Sequence, residues 1–336
     1  MPLSSLQQLY PSSPGPFDDT AMMANGVAMY PLRFDPIYQY RLWGGRRLAD
    51  LLTMELPTGP IGEAWMLSDR DDHASHVSDG VLKGRTIAQL LARFPHEVMG
   101  RLAGKFARFP LLLKFLDAEK MLSVQVHPHG RDGKTEAWVV LEAGEDSRIY
   151  AGLSKGTTED DLRRAVANSK VEENLESFHP AAGDAVFIPG GTVHSLGCGV
   201  VVFEVQQNSD VTYRLYDWGH IDEKTGTTRP LQVEQALEAV NFSANDGGLA
   251  KPAGQNLIDC KYFDVSRLGG NSPFPVGEPG KPSVFVCIEG AGLVDHGKTG
   301  YAVKKGDVYL MPAAIGTCTC RPDDSGMSIL EIGIPG

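Results

Sequence analysis

Two metal-capable side chains, Gln125 and His127, stand two residues apart in "MLSVQVHP" (121–128), and a third, Glu136, follows in "GKTEAWVVL" (133–141). The first run reads as a strand, where side chains alternate between faces, so Gln125 and His127 share one face and Val124 and Val126 the other. Glu136 opens the next strand beside them. His194 comes much later, just past the Pro189 turn in "GDAVFIPGGTVH" (183–194). An amide oxygen, two imidazoles and a carboxylate make a mixed nitrogen and oxygen donor set, suited to zinc or another borderline divalent cation with positions left for water or substrate. Polar groups on the inner face of a barrel are costly to leave unpaired. A lone core histidine is commonly just hydrogen-bonded, and His129 and His179 fall in apparent loops and read as bystanders. The convergence of four such groups at one barrel opening is what favours a metal.

A second cluster lies in "FEVQQNSDVTYRLYDWG" (203–219). Glu204 ends an apolar strand, and Asp210 and Arg214 follow on the next segment. The plain reading is a surface ion pair worth under about 1 kcal/mol. The functional one has Arg214 placing a permanent cation beside the metal, where it stabilises a developing oxyanion. Tyr213, Tyr216 and Trp218 are read as core.

The elements that must position these groups are mostly strands. Many short valine-rich runs, 38 glycines and 22 prolines favour β structure with tight turns. "FPLLLKFLDA" (109–118) is apolar almost throughout and reads as a strand buried on both faces. Helices are expected as two short pieces around Pro95, as an insertion over about 158–178 opened by Thr158 and an acidic first turn, and over 231–240. The chain also repeats itself. "GDAVFIPGGTVH" (183–194) parallels "GDVYLMPAAIGT" (306–317), and "WVVLEAG" (138–144) parallels "FVCIEGA" (285–291), which predicts two related jelly-roll barrels. The alignment sets Thr317 against His194 and Ser283 against Glu136. The second barrel therefore lacks two of the donors, and the polar set belongs to a function of the first.

At 336 residues the chain has room for two domains. Residues 1–29 are rich in Ser, Pro and Gly and read as a disordered or loosely attached arm, 30–242 as the functional barrel with its insertion, and 258–336 as a second barrel without metal ligands, after a linker at 243–257. A formal charge of −11 argues against nucleic acid but leaves room for a small phosphorylated ligand. No run approaches the roughly 18 apolar residues of a membrane span, and the N-terminus lacks the pattern of a signal peptide. Five scattered cysteines suggest buried thiols in a reducing, cytoplasmic setting, with Cys318 and Cys320 a weak candidate for metal.

The order and wording of the motifs then become specific. "RLWGGRRL", "IGEAWMLSD", "FPLLLKFLDAEKMLSVQVHP", "GKTEAWVVL", "FIPGGTVHSLG" and "EVQQNSDVTYRLYDW" resemble the successive signatures of type I mannose-6-phosphate isomerase in its short bacterial form, a zinc enzyme of the cupin superfamily. The likeness runs from about Pro31 to the C-terminus. It implies a mainly β fold of two cupin-type jelly-roll barrels with a small helical insertion, and one Zn2+ per chain held by Gln125, His127, Glu136 and His194. It also implies Arg214 as the active-site arginine, with Glu204 and Asp210 near the same pocket. After Arg214 the long form of the family carries a lysine, whereas "RLYDWGH" here has His220, so the phosphate-binding residues stay open. Lys114 and Lys134 are the cations best placed by sequence.

The implied reaction interconverts mannose 6-phosphate and fructose 6-phosphate by moving a proton between C1 and C2 through an enediol, with Glu204 the first choice of proton-transfer group, or a histidine in its place. Two other readings share the ligands: another metal-dependent cupin enzyme, and a non-catalytic sugar-binding cupin. The oligomeric state is not legible in the sequence.

Overall fold

The computed structural model describes residues 28–130, 133–243 and 247–336. The expected N-terminal arm lies outside them except for its last two residues, and Met29 is buried in the core rather than loose. Its neighbour Tyr30 explains why: the hydroxyl donates to the Asp79 carbonyl and accepts from the Leu82 N–H, which ties this segment down. Part of the expected linker, residues 244–246, also lies outside the described residues.

In chain order the first barrel contains β1 (Ile37–Gly45), β2 (Ile61–Leu67), β3 (Leu111–Ala118), β4 (Val124–Val126), β5 (Glu136–Ala143), β6 (Ile149–Leu153), β7 (Leu175–Phe178), β8 (Ala185–Ile188), β9 (His194–Leu196), β10 (Val200–Gln207), β11 (Tyr213–Tyr216) and β12 (Gly248–Leu249). They form a seven-stranded sheet in the order β12, β8, β5, β10, β3, β1, β2 and a five-stranded sheet in the order β7, β6, β9, β4, β11. Strand β3 is buried along its whole length, as its unbroken apolar run requires. Close approach of β1 and β2 depends on paired glycines: a Cβ on Gly44 would lie 2.2 Å from the Gly62 backbone nitrogen. Gly44→Ala should therefore lower stability by about 1–3 kcal/mol, the usual range for overpacking. Chemical denaturation checks this, and an unchanged midpoint would show that the strands can separate without cost.

Helices form over Ile87–Arg93 and Pro95–Met99, either side of the Pro95 break, and over Val233–Ala239. The insertion is α-helical over Glu159–Ala167, where Thr158 and Asp161 close a capping box, and adds one 3-10 turn at Val171–Asn174. It was expected to run helical to 178, but Ser169 turns left-handed at φ 55° and Leu175–Phe178 becomes β7, paired with β6. Once the helix ends at Asn168, the free edge of β6 offers these residues a ladder that a second helical turn would not.

The second barrel centres on two long strands, Ser283–His296 and Cys318–Gly333, and takes Leu32–Arg33 from the start of the described chain onto the edge formed by Val308–Met311. The repeat is visible in three dimensions. Gly183 and Gly306 adopt φ of 95° and 91°, and each leads into a four-residue strand. Glu136 pairs with Ile188 and Ser283 with Met311, each the fifth residue after its glycine. Ser283 donates to a Glu331 carboxylate oxygen and Thr317 is exposed, so the positions matching Glu136 and His194 offer neither a carboxylate nor an imidazole.

All five cysteines are free thiols: Cys287, Cys318 and Cys320 are buried as expected, whereas Cys260 is half-buried and Cys198 is exposed. It sits in the turn between β9 and β10, at the end of the barrel rather than within a strand. Burial pushes the thiols of Cys318 and Cys320 up to about 11 and about 12, the reverse of what a thiolate ligand needs.

Candidate metal centre

His127 directly follows β4, Glu136 opens β5 and His194 opens β9, so three donors come from three strand ends at one mouth of the barrel. The ends meet because two loops interlock. The Gly191 N–H donates to the His127 carbonyl at 2.8 Å, and a Cβ on Gly190 would lie 2.6 Å from the Pro128 carbonyl oxygen, so only glycine lets the loops touch there. Register does the rest: Gln125 of β4 faces His194 of β9 on one side and Arg214 of β11 on the other.

The candidate ligand atoms of His127, Glu136 and His194 lie within 4.8 Å of one another, and all three residues are fully buried. His127 Nδ1 is 2.8 Å from the Val211 carbonyl and His194 Nδ1 is 2.9 Å from the Thr192 carbonyl. A carbonyl only accepts, so each Nδ1 carries the proton and each Nε2 presents a lone pair. Both Nε2 atoms sit 3.3 Å from Glu136, one at each carboxylate oxygen. Burial, then the charge of Lys134, pushes His127 down to about 3, and burial also lowers His194. Both rings are therefore neutral, the form that ligates. The Gln125 amide is 3.2 Å from His194 Nε2, and a half-turn of that amide presents its oxygen in place of its nitrogen.

Neither Glu136 oxygen has an aligned hydrogen-bond donor, although both are buried. The Lys134 ammonium approaches Oε2 to 2.6 Å off the hydrogen-bond direction, and it also lies 3.1 Å from His127 Nε2. Burial raises the Glu136 carboxyl, but the charge of Lys134 outweighs it and holds the group well below the usual carboxylate range. Two inward lone pairs and an ionised, buried carboxylate without aligned donors fit a cation, and the ammonium of Lys134 partly answers that demand.

From Glu136 a row of alternating charges crosses the barrel floor. Glu204 lies 3.8 Å from Lys134 and 3.0 Å from Lys114, and Lys114 lies 3.7 Å from Glu63. Arg41 closes the row with a two-pronged pair to Glu63 at 3.0 and 3.1 Å. Trp65 and Trp138 donate their indole N–H groups to Glu63 and Glu204. Burial opposes the charge on Glu63, yet Arg41 and Lys114 hold that carboxyl far below its ordinary value. Burial, reinforced by Glu136, keeps the Glu204 carboxyl above its ordinary value despite the lysines.

Above this row opens a cavity of about 450 Å³ lined by Gln125, Lys114, Lys134, Glu204, Asp210 and Arg214 among others, so six of the nine residues singled out in the sequence share its wall. The other three, His127, Glu136 and His194, do not line it but touch Gln125 and Lys134, which do. The volume suits a small metabolite. Lys114 and Lys134, expected as substrate-binding cations, are each about 4% exposed and each spans two carboxylates. His220 occupies the turn after Asp217 and does not line the cavity, whereas Arg229 does. His179 reaches the Ser147 carbonyl, and Trp218 packs on Tyr216 and Tyr150 and donates to the Leu122 carbonyl, as core aromatics do. Sequence reasoning did not single out Arg41, Glu63, Trp138 or Arg229. The signal for Glu63 was present, since a carboxylate inside the otherwise apolar "IGEAWML" demands a partner.

Residues 32–174 match the family model of the phosphomannose isomerase type I catalytic domain. A mannose-6-phosphate isomerase of Bacillus subtilis is 34% identical over 305 residues, covering 85% of this chain and 94% of that protein. One of Streptococcus mutans is 31% identical over 301 residues, covering 85% and 93%. The crystal structure of the mannose 6-phosphate isomerase from Bacillus subtilis superposes with a TM-score of 0.82 at 28% identity, covering 91% of this chain and all of that one. With near full-length relatives above 30% identity and a common barrel pair, the chain belongs to the type I phosphomannose isomerase family.

Proposed function

We propose that this protein interconverts mannose 6-phosphate and fructose 6-phosphate at a single zinc centre held by Gln125, His127, Glu136 and His194. The observation that carries the reading is the buried His127, Glu136 and His194 triad in contact with the wall of a metabolite-sized cavity. A zinc ion held by these residues would supply Lewis acidity toward the sugar's oxygens. The chain's own residues do the rest. Glu204, buried and held above its ordinary pKa, is poised to take a proton from one carbon and return it to the other, with the Trp138 N–H fixing its orientation. Arg214, half-buried on the cavity wall, adds positive charge where the enediolate oxygen develops. Asp210, exposed at the rim, is placed to accept from sugar hydroxyls.

The test is turnover. Purified protein should isomerise mannose 6-phosphate, lose that activity to a chelator and regain it with zinc; no turnover by the metal-loaded protein sinks the proposal and leaves a sugar-binding cupin. Oxygen consumption with metal-dependent loss would favour a different cupin enzyme. Arg214→Ala should cut kcat by roughly 10²–10³, the range for removing one preorganised donor, while bound metal stays at the wild-type level. Loss of metal in that variant would contradict the separation of roles.

A further inference from the structure

The cavity is electrostatically uneven. At its floor Arg41, Lys114 and Lys134 interleave with Glu63, Glu204 and Glu136, so every cation there is already matched by a carboxylate. A dianionic phosphate placed among those carboxylates would meet repulsion from each of them.

The rim differs. Arg214 Nη1 donates to the carbonyl of Pro230, the residue after Arg229, at 2.9 Å, and its Nε is buried without an acceptor among the described residues. Burial, then the charge of Arg229, lowers the Arg214 pKa, and Arg41 adds to the effect, so these guanidiniums lie within one another's field. Arg229 itself is clamped: buried Asp217 accepts from its Nε at 2.9 Å and from its Nη2. That clamp fixes the plane of the guanidinium and leaves Nη1 without a protein acceptor among the described residues. Asp222, on the same wall, already accepts from the Tyr40 hydroxyl and the Lys224 N–H. A preoriented guanidinium with a free edge, beside a second one with an unmatched donor, has the chemistry of a phosphate anchor.

We infer that Arg229, held in place by Asp217, binds the phosphate of the sugar phosphate at the outer end of the cavity, with Arg214 adding charge from the metal side. This rests on the isomerase reading above and assigns the phosphate to the rim rather than to Lys114 and Lys134. Asp217 is a positioning residue for Arg229. The hairpin between Asp217 and Arg229, closed by pairing of Ile221–Asp222 with Thr227–Thr228, sets the distance of that anchor from the metal centre.

The experiment uses the full metal-loaded chain. Arg229→Gln should raise KM for mannose 6-phosphate roughly 10–100-fold, as expected for losing a charge-assisted contact, with kcat within about threefold and metal content unchanged. The inhibition constant of inorganic phosphate should rise by a similar factor, and Arg229→Lys should recover most of both losses. Unchanged KM and unchanged phosphate inhibition in Arg229→Gln would overturn the assignment, as would a fall in kcat alone. If the single variant is unstable by circular dichroism, Asp217→Asn/Arg229→Gln leaves no orphaned carboxylate and gives the same readout. Should the wild type fail to isomerise, calorimetric binding of inorganic phosphate to wild type and Arg229→Gln still decides the subsite: a weaker binder supports it, equal binding removes it.

Discussion

In Glu136→Gln the bound metal falls well below that of the wild type and kcat drops by roughly 10³ or more. The substitution keeps the size and hydrogen-bonding reach of the side chain but removes the only anion of the proposed donor set, leaving two neutral imidazoles and two amides. Several kcal/mol of charge stabilisation at the reacting oxygens goes with the metal, and each 1.36 kcal/mol is a factor of ten in rate. The same change strips Lys134 of its nearest carboxylate, 2.6 Å away, so the ammonium is left in a buried site whose demand for a cation has weakened. Metal analysis beside steady-state kinetics checks the prediction. A variant that keeps full metal and near-wild-type turnover would show that Glu136 is not a ligand.

Lys114→Met is expected to be the most destabilising single change in the charged row, by about 3–5 kcal/mol, because it removes one partner and leaves buried charges behind. Lys114 stands between Glu63 at 3.7 Å and Glu204 at 3.0 Å, and the two carboxylates would face each other across an apolar side chain. Burial opposes the lysine's charge, yet Glu204 and Glu63 outweigh it and raise its pKa, so the ammonium is ionised in the folded protein throughout the ordinary range. Denaturant unfolding of the variant gives the number directly. Adding Glu204→Gln should recover part of the loss, since it removes one of the stranded carboxylates; a loss below about 1 kcal/mol in Lys114→Met would show that water or a neighbour compensates the row.

That Gln125, His127, Glu136 and His194 come together was legible in the sequence because a strand has period two and because the repeat supplied an internal comparison. Gln125 and His127 had to share a face, and Ser283 standing where Glu136 stands in the other copy separated chemistry from scaffold. The floor of the cavity was much less legible. Arg41 and Glu63 are 22 residues apart, and they meet only through the β1–β2 register, which shifts between Gln39 and Tyr40 and again between Tyr40 and Gly45. No periodicity argument yields a register with irregularities in it. The partners of Lys114 were hidden for the same reason: the lysine is visible in sequence, but its carboxylates, Glu63 and Glu204, come from other strands. The misjudged stretch 175–178 is a further case, because its strand state depends on the open edge of β6 rather than on its own pattern. Arg229 was hidden by the hairpin that carries it back toward Asp217.

The twin turns at Gly183 and Gly306 imply a division of labour that follows from duplication. One copy of the unit bears the electrostatic load of a reactive centre, with carboxylates and lysines held inside a barrel where solvent cannot relieve them. The other keeps the same turn and ladder but fills the equivalent strand start with a serine hydrogen-bonded to Glu331, so it contributes folding stability without sharing that load. Substitutions at the two matched positions, Glu136 and Ser283, thus carry different expected costs although their backbones are alike: the first disturbs two imidazoles and an ammonium at once, the second a single hydrogen bond to Glu331.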